Sequence, residues 1–231
     1  MSNGIYFVFT LPPAEVTDEE FSAWYDTHVS EVLEIPGFLA ARRYWLAQAA
    51  PNRPPIVFRH LGAYALDGSS TQPVAELGRR LEEGEMTIEP WFGDVRVEAF
   101  IGRALEDPEL ELSDHAYIVL SHAPSRFTTE EYYGWYYAHA RENLTSEGFD
   151  AVWRYALTPD VVDRVSPSSA THAAFYKVDG ELPELREALK RSFDAGRVDI
   201  PDWMPEGEFV SYDCLAAAAL TRSPSIASSG H

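Results

Sequence analysis

Residues 17–46 read TDEEFSAWYDTHVSEVLEIPGFLAARRYWL, and residues 128–157 read TTEEYYGWYYAHARENLTSEGFDAVWRYAL. The two stretches lie 111 positions apart and share 14 of their 30 residues, whereas ordinary composition would produce about two matches by chance. Both contain Trp-Tyr-x-x-His, followed further on by Gly-Phe. A match of this length at a fixed spacing indicates a tandem duplication of one structural unit.

The repeat extends in both directions from this core. An alternating apolar stretch at 5–9 aligns with 116–120, and the segment after position 59 aligns with the segment after 171 at a spacing of 112. Within the first repeat, the patterns predict strands at 4–10, 38–47, 56–66 and 92–104, and helices from Thr17 to Pro36-Gly37 and at about 72–84. Thr17 with Glu20, and Thr128 with Glu131, predict a capping box at the start of each first helix.

This order of elements predicts an α+β fold built from two ferredoxin-like βαββαβ repeats. A four-stranded sheet that carries helices on one face leaves its other face bare, so two such sheets are expected to pack together as an α+β barrel. We expect repeat 1 at 1–105 and repeat 2 at 114–220, with an acidic linker at 106–113. The Ser-rich segment 221–231 is expected to be a disordered tail.

The composition excludes several classes of partner. The formal net charge is −19, from 18 Lys and Arg against 37 Asp and Glu, and this balance argues against nucleic acid and anionic membrane surfaces as partners. No run of 18 apolar residues and no basic N-terminal leader is present, which favours a cytoplasmic protein. The single cysteine, Cys214, allows no disulfide within the chain and no Cys-based zinc site, and its apolar surroundings predict a buried side chain.

The first helix of each repeat places a histidine among aromatic residues. At 3.6 residues per turn, Trp24, Tyr25 and His28 share one face, and Trp135, Tyr136 and His139 do the same in repeat 2. A neutral imidazole suits acid–base chemistry near physiological pH, so His28 and His139 are the candidate catalytic residues. The alternative is that both are core histidines inherited from a common ancestor. The candidate substrate-binding residues are Trp24, Tyr25, Trp135, Tyr136 and Asn143, with Tyr6 and Tyr117 on the first strands.

The two helical faces differ beyond the histidine. Val32 and Ile35 of repeat 1 are replaced by Asn143 and Ser146 in repeat 2. Because buried polar groups are costly without a partner, water or a ligand, this difference predicts that the larger and more polar pocket lies in repeat 2. The alternative is that Asn143 turns to solvent. Arg43 is expected to pair with a carboxylate such as Glu31 or to form a surface ion pair.

Several common catalytic patterns are missing. The sequence contains no glycine-rich phosphate loop, no G-x-S-x-G and no H-E-x-x-H. A metal held by His28, His139 and nearby carboxylates has no short-range ligand spacing in its favour, so we predict no metal and no cofactor.

The motif EFSAWYDTHVSEVLEIPGFLAARRY resembles that of EthD-like members of the dimeric α+β barrel superfamily. The resemblance covers about 30 residues in each repeat and implies an α+β barrel. It also implies a role in catalysis or ligand contact for His28 and His139. Members of this superfamily include cofactor-independent monooxygenases, isomerases, decarboxylases, dehydratases and lyases, which often act in the catabolism of aromatic compounds; some members bind heme. Repeat 2 departs from the motif at Glu147, where repeat 1 has Pro36, and at Asn143.

The favoured hypothesis is a cofactor-independent lyase or isomerase that acts on a small hydrophobic, aromatic molecule. A histidine would move a proton while Tyr or Asn donors hold a developing oxyanion. Two alternatives remain: a non-catalytic binding protein for small molecules, and a monooxygenase that is cofactor-free or heme-dependent. A homodimer is a further expectation.

Overall fold

The computed structural model describes residues 2–48, 58–68, 71–106, 110–160, 170–204 and 208–217. The elements of repeat 1 are β1 (Ser2–Leu11), α1 (Asp18–Val32), β2 (Phe38–Gln48), β3 (His60–Asp67), α2 (Gln72–Glu82) and β4 (Arg96–Ala104). Those of repeat 2 are β5 (His115–His122), α3 (Thr129–Asn143), β6 (Phe149–Asp160), β7 (His172–Val178), α4 (Leu182–Asp194) and β8 (Glu208–Ala216). Both repeats therefore have the predicted βαββαβ order. The predicted tail at 221–231 and part of the predicted linker lie outside the described residues.

The ends of the first helices follow from local sequence. Thr17 accepts a hydrogen bond from the backbone N–H of Glu20, and the Glu20 carboxylate accepts one from the N–H of Thr17; Thr128 and Glu131 form the same capping box. After α1, Gly37 has φ +103, a backbone conformation that L side chains rarely adopt. A Cβ at this position would also lie 2.4 Å from Pro73 of α2, so glycine lets the two helical segments approach.

The start of the fourth strand was predicted too early. Residues 92–95 were expected in a strand, but Pro90–Asp94 forms a 3-10 helix and β4 begins at Arg96. Pro90 fits the first turn of a helix because it has no N–H to leave unpaired. This turn carries Trp91 and Phe92 against α1, where both rings contact Trp24.

All eight strands close into one antiparallel barrel in the order β1-β3-β2-β8-β5-β7-β6-β4. Within each repeat the order is that of a ferredoxin-like sheet, β4-β1-β3-β2 and β8-β5-β7-β6. The edge strands then pair across the repeats, β2 with β8 and β4 with β6. The second repeat thus supplies the partners that the exposed edges of the first would otherwise lack, and the predicted barrel is confirmed.

Strand alternation divides the molecule into a barrel core and two outer layers. Ile5, Phe7 and Phe9 of β1 point into the barrel, whereas Tyr6 packs under the helices of repeat 1. The barrel core is filled by side chains from both repeats, and Cys214 is fully buried there as predicted. Two further apolar clusters lie outside the barrel, one in each repeat, between the sheet and the two helices of that repeat. No helix in the described part of the chain is long and apolar enough to cross a membrane.

Candidate functional site

The predicted inner face of α1 is buried in the structure. Phe21, Trp24, Tyr25 and His28 all face the sheet, and His28 is 8% exposed. The imidazole of His28 stacks on the indole of Trp24, with 5.0 Å between ring centroids and 17° between planes. In repeat 2 the same stack joins His139 to Trp135 at 4.7 Å and 17°. The stack is therefore a shared feature of the repeated unit and does not by itself distinguish a working site.

A cavity of about 930 Å³ lies in repeat 1 between α1, α2 and the outer face of the sheet. Its walls include Trp24, Tyr25 and His28 of α1 and Tyr6 of β1, all of them predicted site residues. The remaining lining residues are mainly apolar: Val8, Thr10, Tyr64, Thr71, Val74, Ala75, Leu77, Gly78, Leu81, Glu82, Ile88, Glu89, Pro90, Phe92, Gly93, Val95, Val97 and Ile101. Its volume falls in the range of cavities that hold small organic ligands.

The prediction that repeat 2 holds the larger pocket is wrong. The second cavity described, of about 560 Å³, is in repeat 2 but lies around Gly148, Gly180 and Arg191, and its walls do not include His139. The reason lies in the polar residues on which the prediction rested. The amide of Asn143 donates to Tyr176 Oη at 3.0 Å, and Ser146 Oγ lies 2.8 Å from Ser192 Oγ. Both side chains thus find one partner inside the protein, although Oδ1 of Asn143 is buried without a partner among the described residues.

Asn143 does not turn to solvent either, since only 8% of the residue is exposed. The remaining predicted residues of repeat 2, Tyr117, Trp135, Tyr136 and His139, lie in the layer under α3 and do not reach the cavity of repeat 1. The predicted residues thus form two separate groups, one under each helix pair, and the repeat 1 cavity is lined by the first group.

Three polar residues on the wall of the repeat 1 cavity keep a buried atom without a hydrogen-bond partner. These atoms are Thr10 Oγ1, Tyr25 Oη and His28 Nδ1, and the statement covers partners within the described part of the chain. Tyr64 and Thr10 approach Tyr25 closely enough to affect its pKa, but neither contact reaches hydrogen-bonding geometry. Each unpaired buried polar group costs about 1–3 kcal/mol. Repeat 2 also has three such atoms under α3, Trp135 Nε1, Tyr136 Oη and Asn143 Oδ1, so the feature that distinguishes repeat 1 is the cavity beside its cluster.

Repeat 2 supplies internal partners where repeat 1 has none. Ser121, the counterpart of Thr10, receives a hydrogen bond from Tyr132 Oη at 2.8 Å. The residue of repeat 1 at the position of Tyr132 is Phe21, which has no hydroxyl. Likewise, Val32 stands where Asn143 donates to Tyr176. Tyr136 Oη remains unpaired, as Tyr25 Oη does, and so does Asn143 Oδ1. The clear difference between the repeats is therefore at Ser121, which has a partner where Thr10 has none.

The loop after the second helix of each repeat forms different hydrogen bonds in the two repeats. In repeat 1, the carbonyl oxygen of Thr87 accepts from Trp24 Nε1 at 2.9 Å. In repeat 2, the corresponding carbonyl of Asp199 lies 3.1 Å from His139 Nδ1, which must donate to it, and Trp135 Nε1 has no partner among the described residues. The equivalent carbonyl is therefore taken by the indole in one repeat and by the imidazole in the other. This exchange leaves Nδ1 of His28 without a hydrogen-bond partner among the described residues.

Burial determines the charge states of the cavity groups. Loss of hydration lowers the pKa of His28 from 6.5 to about 4, although the nearby Glu31 carboxylate opposes this change. The imidazole is therefore neutral at pH 7. Burial raises the pKa of Tyr25 to about 12, so its hydroxyl stays protonated. The cavity thus offers a neutral imidazole as an acceptor and a neutral phenol as a donor.

Arg43 pairs with a carboxylate as expected, but the partner is Asp26 and not Glu31. Arg43 lies 2.9 Å from Asp26 and 5.1 Å from the centre of the Tyr25 ring. Glu31 instead accepts hydrogen bonds from the backbone N–H of Thr87 at 3.1 Å and from its hydroxyl at 2.6 Å. Helix geometry explains the change, since Asp26 lies near Arg43 on the strand side whereas Glu31 reaches the loop after α2. Glu31 thereby holds one wall of the cavity against α1.

Sequence reasoning missed Thr10, Tyr64 and the whole contribution of α2 to the cavity. Thr10 could have been found, because it follows Tyr6 by four positions on a strand and must therefore point to the same face. The residues of α2 carried no comparable signal. They line the cavity only because the second helix packs beside the first.

The described residues contain no group of three or more His, Cys, Asp or Glu side chains placed to hold a metal ion. Heme, which some members of the superfamily named above bind, does not fit the repeat 1 cavity. It carries two carboxylates, but the charged residues among the described lining are Glu82 and Glu89.

Comparison with known proteins gives a likeness in structure. No protein-family model and no curated protein sequence matches the chain. Among solved structures, an anthrone oxidase-like protein is similar with a TM-score of 0.52 and 14% identity, covering 95% of this chain and 92% of that one. Chlorite dismutase from Candidatus Nitrospira defluvii is similar with a TM-score of 0.51 and 9% identity, over 91% and 90% of the two chains. A proposed monooxygenase from Fusobacterium nucleatum is similar with a TM-score of 0.51 and 9% identity, over 96% and 95%.

These likenesses extend over nearly the whole chain, and at such low identity they concern the fold alone. The resemblance to EthD-like proteins rests on the helix motif around His28 and His139. The chain therefore has the α+β barrel fold, formed here by two repeats within one polypeptide.

Proposed function

We propose that the repeat 1 cavity binds a small, largely apolar aromatic molecule and that His28 removes a proton from it. The observation that carries this proposal is the cluster of Thr10, Tyr25 and His28, each with a buried, unpaired polar atom on the wall of one cavity of about 930 Å³. The apolar lining suits the body of an aromatic ring system. The polar cluster suits a carbonyl or phenol oxygen at its inner end.

The chemistry follows from the charge states. A neutral imidazole can accept a proton from a carbon that is conjugated with a carbonyl group, either directly or through an aromatic ring, and the electron pair of the broken C–H bond then moves onto the carbonyl oxygen. Tyr25, which stays protonated, can donate a hydrogen bond to the oxyanion that results. Because Nδ1 of His28 is sealed, the proton would be taken by Nε2.

The fate of the resulting enolate decides the reaction class. Return of the proton to another carbon gives an isomerase, and expulsion of a leaving group gives a lyase; these are the favoured outcomes. Attack of the enolate on molecular oxygen gives a cofactor-free monooxygenase. All three begin with the same proton transfer, so this step is what the proposal asserts.

A second candidate is binding without catalysis. Catalytic histidines are commonly oriented by a carboxylate. Glu31 is the carboxylate whose charge acts on the pKa of His28, but it accepts a hydrogen bond from Thr87 instead. His28 has no such partner among the described residues. This observation favours a protein that holds an aromatic ligand without transforming it.

Anthrone, a tricyclic ketone with an acidic C–H, is a suitable probe because its proton exchange reports the first step alone. We would follow exchange of that hydrogen with D₂O by NMR under argon, with wild type, His28→Ala and His139→Ala. We expect wild type to accelerate exchange and His28→Ala to lower the rate by about two to four orders of magnitude. His139→Ala is the matched control, since it removes the corresponding residue of repeat 2, and should remain within about twofold of wild type.

The outcomes separate the alternatives. Equal exchange rates in wild type and His28→Ala would contradict the proposed base. Binding of anthrone, seen as quenching of tryptophan fluorescence, without faster exchange would assign the protein to the non-catalytic class. Consumption of oxygen when air is admitted would identify a monooxygenase, and a Soret band in the purified protein would reinstate heme.

A further inference from the structure

The repeat 1 cavity has a one-sided distribution of charge. Among its described lining residues, the ionised side chains are Glu82, at the end of α2, and Glu89, just before the 3-10 helix. Glu82 is exposed and Glu89 is half-buried, so both lie toward the solvent side, whereas Tyr25 and His28 lie at the buried end. Neither carboxylate pairs with a described lysine or arginine. The mouth of the cavity is therefore uniformly negative.

Two basic residues of α2, which follow the lining residue Gly78 and precede Leu81, are already paired. Arg79 pairs with Glu76, Glu83 and Glu85, and Arg80 pairs with Glu76. Deeper in the layer, Arg43 is paired with Asp26 and lies across the ring of Tyr25, and it is not part of the cavity wall. The chain as a whole carries a net charge of −19, so the long-range field has the same sign as the mouth.

We infer that this cavity selects its aromatic ligand by charge: it admits neutral and cationic compounds and rejects carboxylates, sulfonates and phosphates. The inference deepens the proposed function and rests on it. A ligand would place its neutral oxygen at Tyr25 and His28 and its rings against the apolar wall. Any basic substituent would then lie at the mouth between Glu82 and Glu89.

The size of the discrimination follows from Coulomb's law. A unit charge roughly 7 Å from one carboxylate in a highly hydrated setting changes affinity by about two- to threefold, so two carboxylates give about five- to tenfold. The effect should decrease as salt is added, because exposed charges are screened over about 10 Å at 0.1 M ionic strength.

Three probes of one shape test this inference: anthraquinone-2-carboxylate, anthraquinone-2-carboxamide and 2-(aminomethyl)anthraquinone, which are anionic, neutral and cationic at pH 7. Dissociation constants would be measured by equilibrium dialysis at low salt. We expect the carboxylate to bind about five- to tenfold more weakly than the amide, and the amine at least as tightly as the amide. In the double variant Glu82→Gln/Glu89→Gln, the three constants should converge to within about twofold.

The matched control is Glu130→Gln/Glu187→Gln, which removes the same amount of charge from exposed positions of repeat 2 outside the repeat 1 cavity. It should keep the discrimination, since its charges are remote. If the control abolishes the discrimination as well, net charge rather than the mouth is responsible and the inference fails. Equal binding of all three probes to wild type would overturn the inference and leave the proposed function intact. If none of the probes binds, both are wrong.

Discussion

Replacing His28 by glutamine tests directly whether its imidazole is held neutral in the folded protein. Its pKa lies at about 4 in the fold against 6.5 for an unperturbed histidine, chiefly because burial removes the hydration of the charged form. Above pH 6.5 the ring is neutral in both the folded and the unfolded chain, so it adds no pH dependence there. As the pH falls from 6.5 toward 4, the unfolded chain takes up a proton that the folded chain does not. Folding is therefore destabilised over this window.

The magnitude follows from the two pKa values. Each pH unit between them is worth about 1.4 kcal/mol. Wild type should lose about 3 kcal/mol of unfolding free energy by pH 4 through His28 alone, and about 2–3 kcal/mol by pH 4.5. Glutamine does not titrate, so the variant should not show this loss. Acidic groups and the other buried histidines, His60 and His172, contribute equally to both proteins and cancel in the difference.

The assay is urea-induced unfolding at pH 7.5, 6.5, 5.5 and 4.5, with the free energy of unfolding of each protein extrapolated to water. The difference in unfolding free energy between His28→Gln and wild type should shift in favour of the variant by about 2–3 kcal/mol between pH 7.5 and 4.5. His139→Gln is the control. Burial lowers the pKa of His139 too, but its hydrogen bond to the Asp199 carbonyl and the carboxylates of Glu142 and Asp199 oppose this, so the difference for this variant should shift less. A difference for His28→Gln that stays constant with pH would refute the neutral, desolvated imidazole and with it the basis of the proposed proton transfer.

Three other substitutions probe the cavity wall and the packing. Glu31→Ala removes the acceptor of the Thr87 backbone N–H, so amide exchange at Thr87 should accelerate about five- to thirtyfold, as measured by NMR, while Glu142→Ala should affect only the amide of Asp199. Tyr132→Phe deletes the buried hydrogen bond to Ser121 and should lower the free energy of urea unfolding by about 1–2 kcal/mol; no change would mean that water already serves Ser121. Phe7→Ala removes a fully buried ring that contacts Phe9, Tyr155 and Phe175 in the barrel core, so it should cost about 3–5 kcal/mol by the same measurement, and a loss below 1 kcal/mol would contradict the packed interior.

The elements and their order along the chain could be predicted because their signals are local or repeated. The 111-residue register makes the two halves equivalent, and the βαββαβ order leaves a bare sheet face in each half that needs a cover. The buried face of α1 follows from the helical period, and its start follows from the capping box of Thr17 and Glu20. These inferences depend on local patterns and on their repetition along the chain, so no knowledge of distant contacts was required.

The same reasoning identified the cavity residues of α1 and the neighbouring Tyr6. It placed the larger pocket in the wrong repeat, because a polar residue on an inner face can serve either a cavity or an internal hydrogen bond. Asn143 alone does not distinguish the two. Its partner, Tyr176, lies 33 positions away on β7. Only the packing of α3 on that strand shows that the amide nitrogen has a partner inside the protein.

The sequence by itself determined a duplicated ferredoxin-like unit, an α+β barrel and a histidine among aromatic residues under each first helix. Tertiary structure decided which histidine keeps an unpaired ring nitrogen. The carbonyl at Thr87 is occupied by Trp24, whereas its counterpart at Asp199 is occupied by His139, and these bonds span 63 and 60 positions. The two copies share the motif residues, so their difference arises from long-range hydrogen bonds and from how completely each helix pair fills its layer. Such complementarity is a property of surfaces in contact, and no segment read alone contains it.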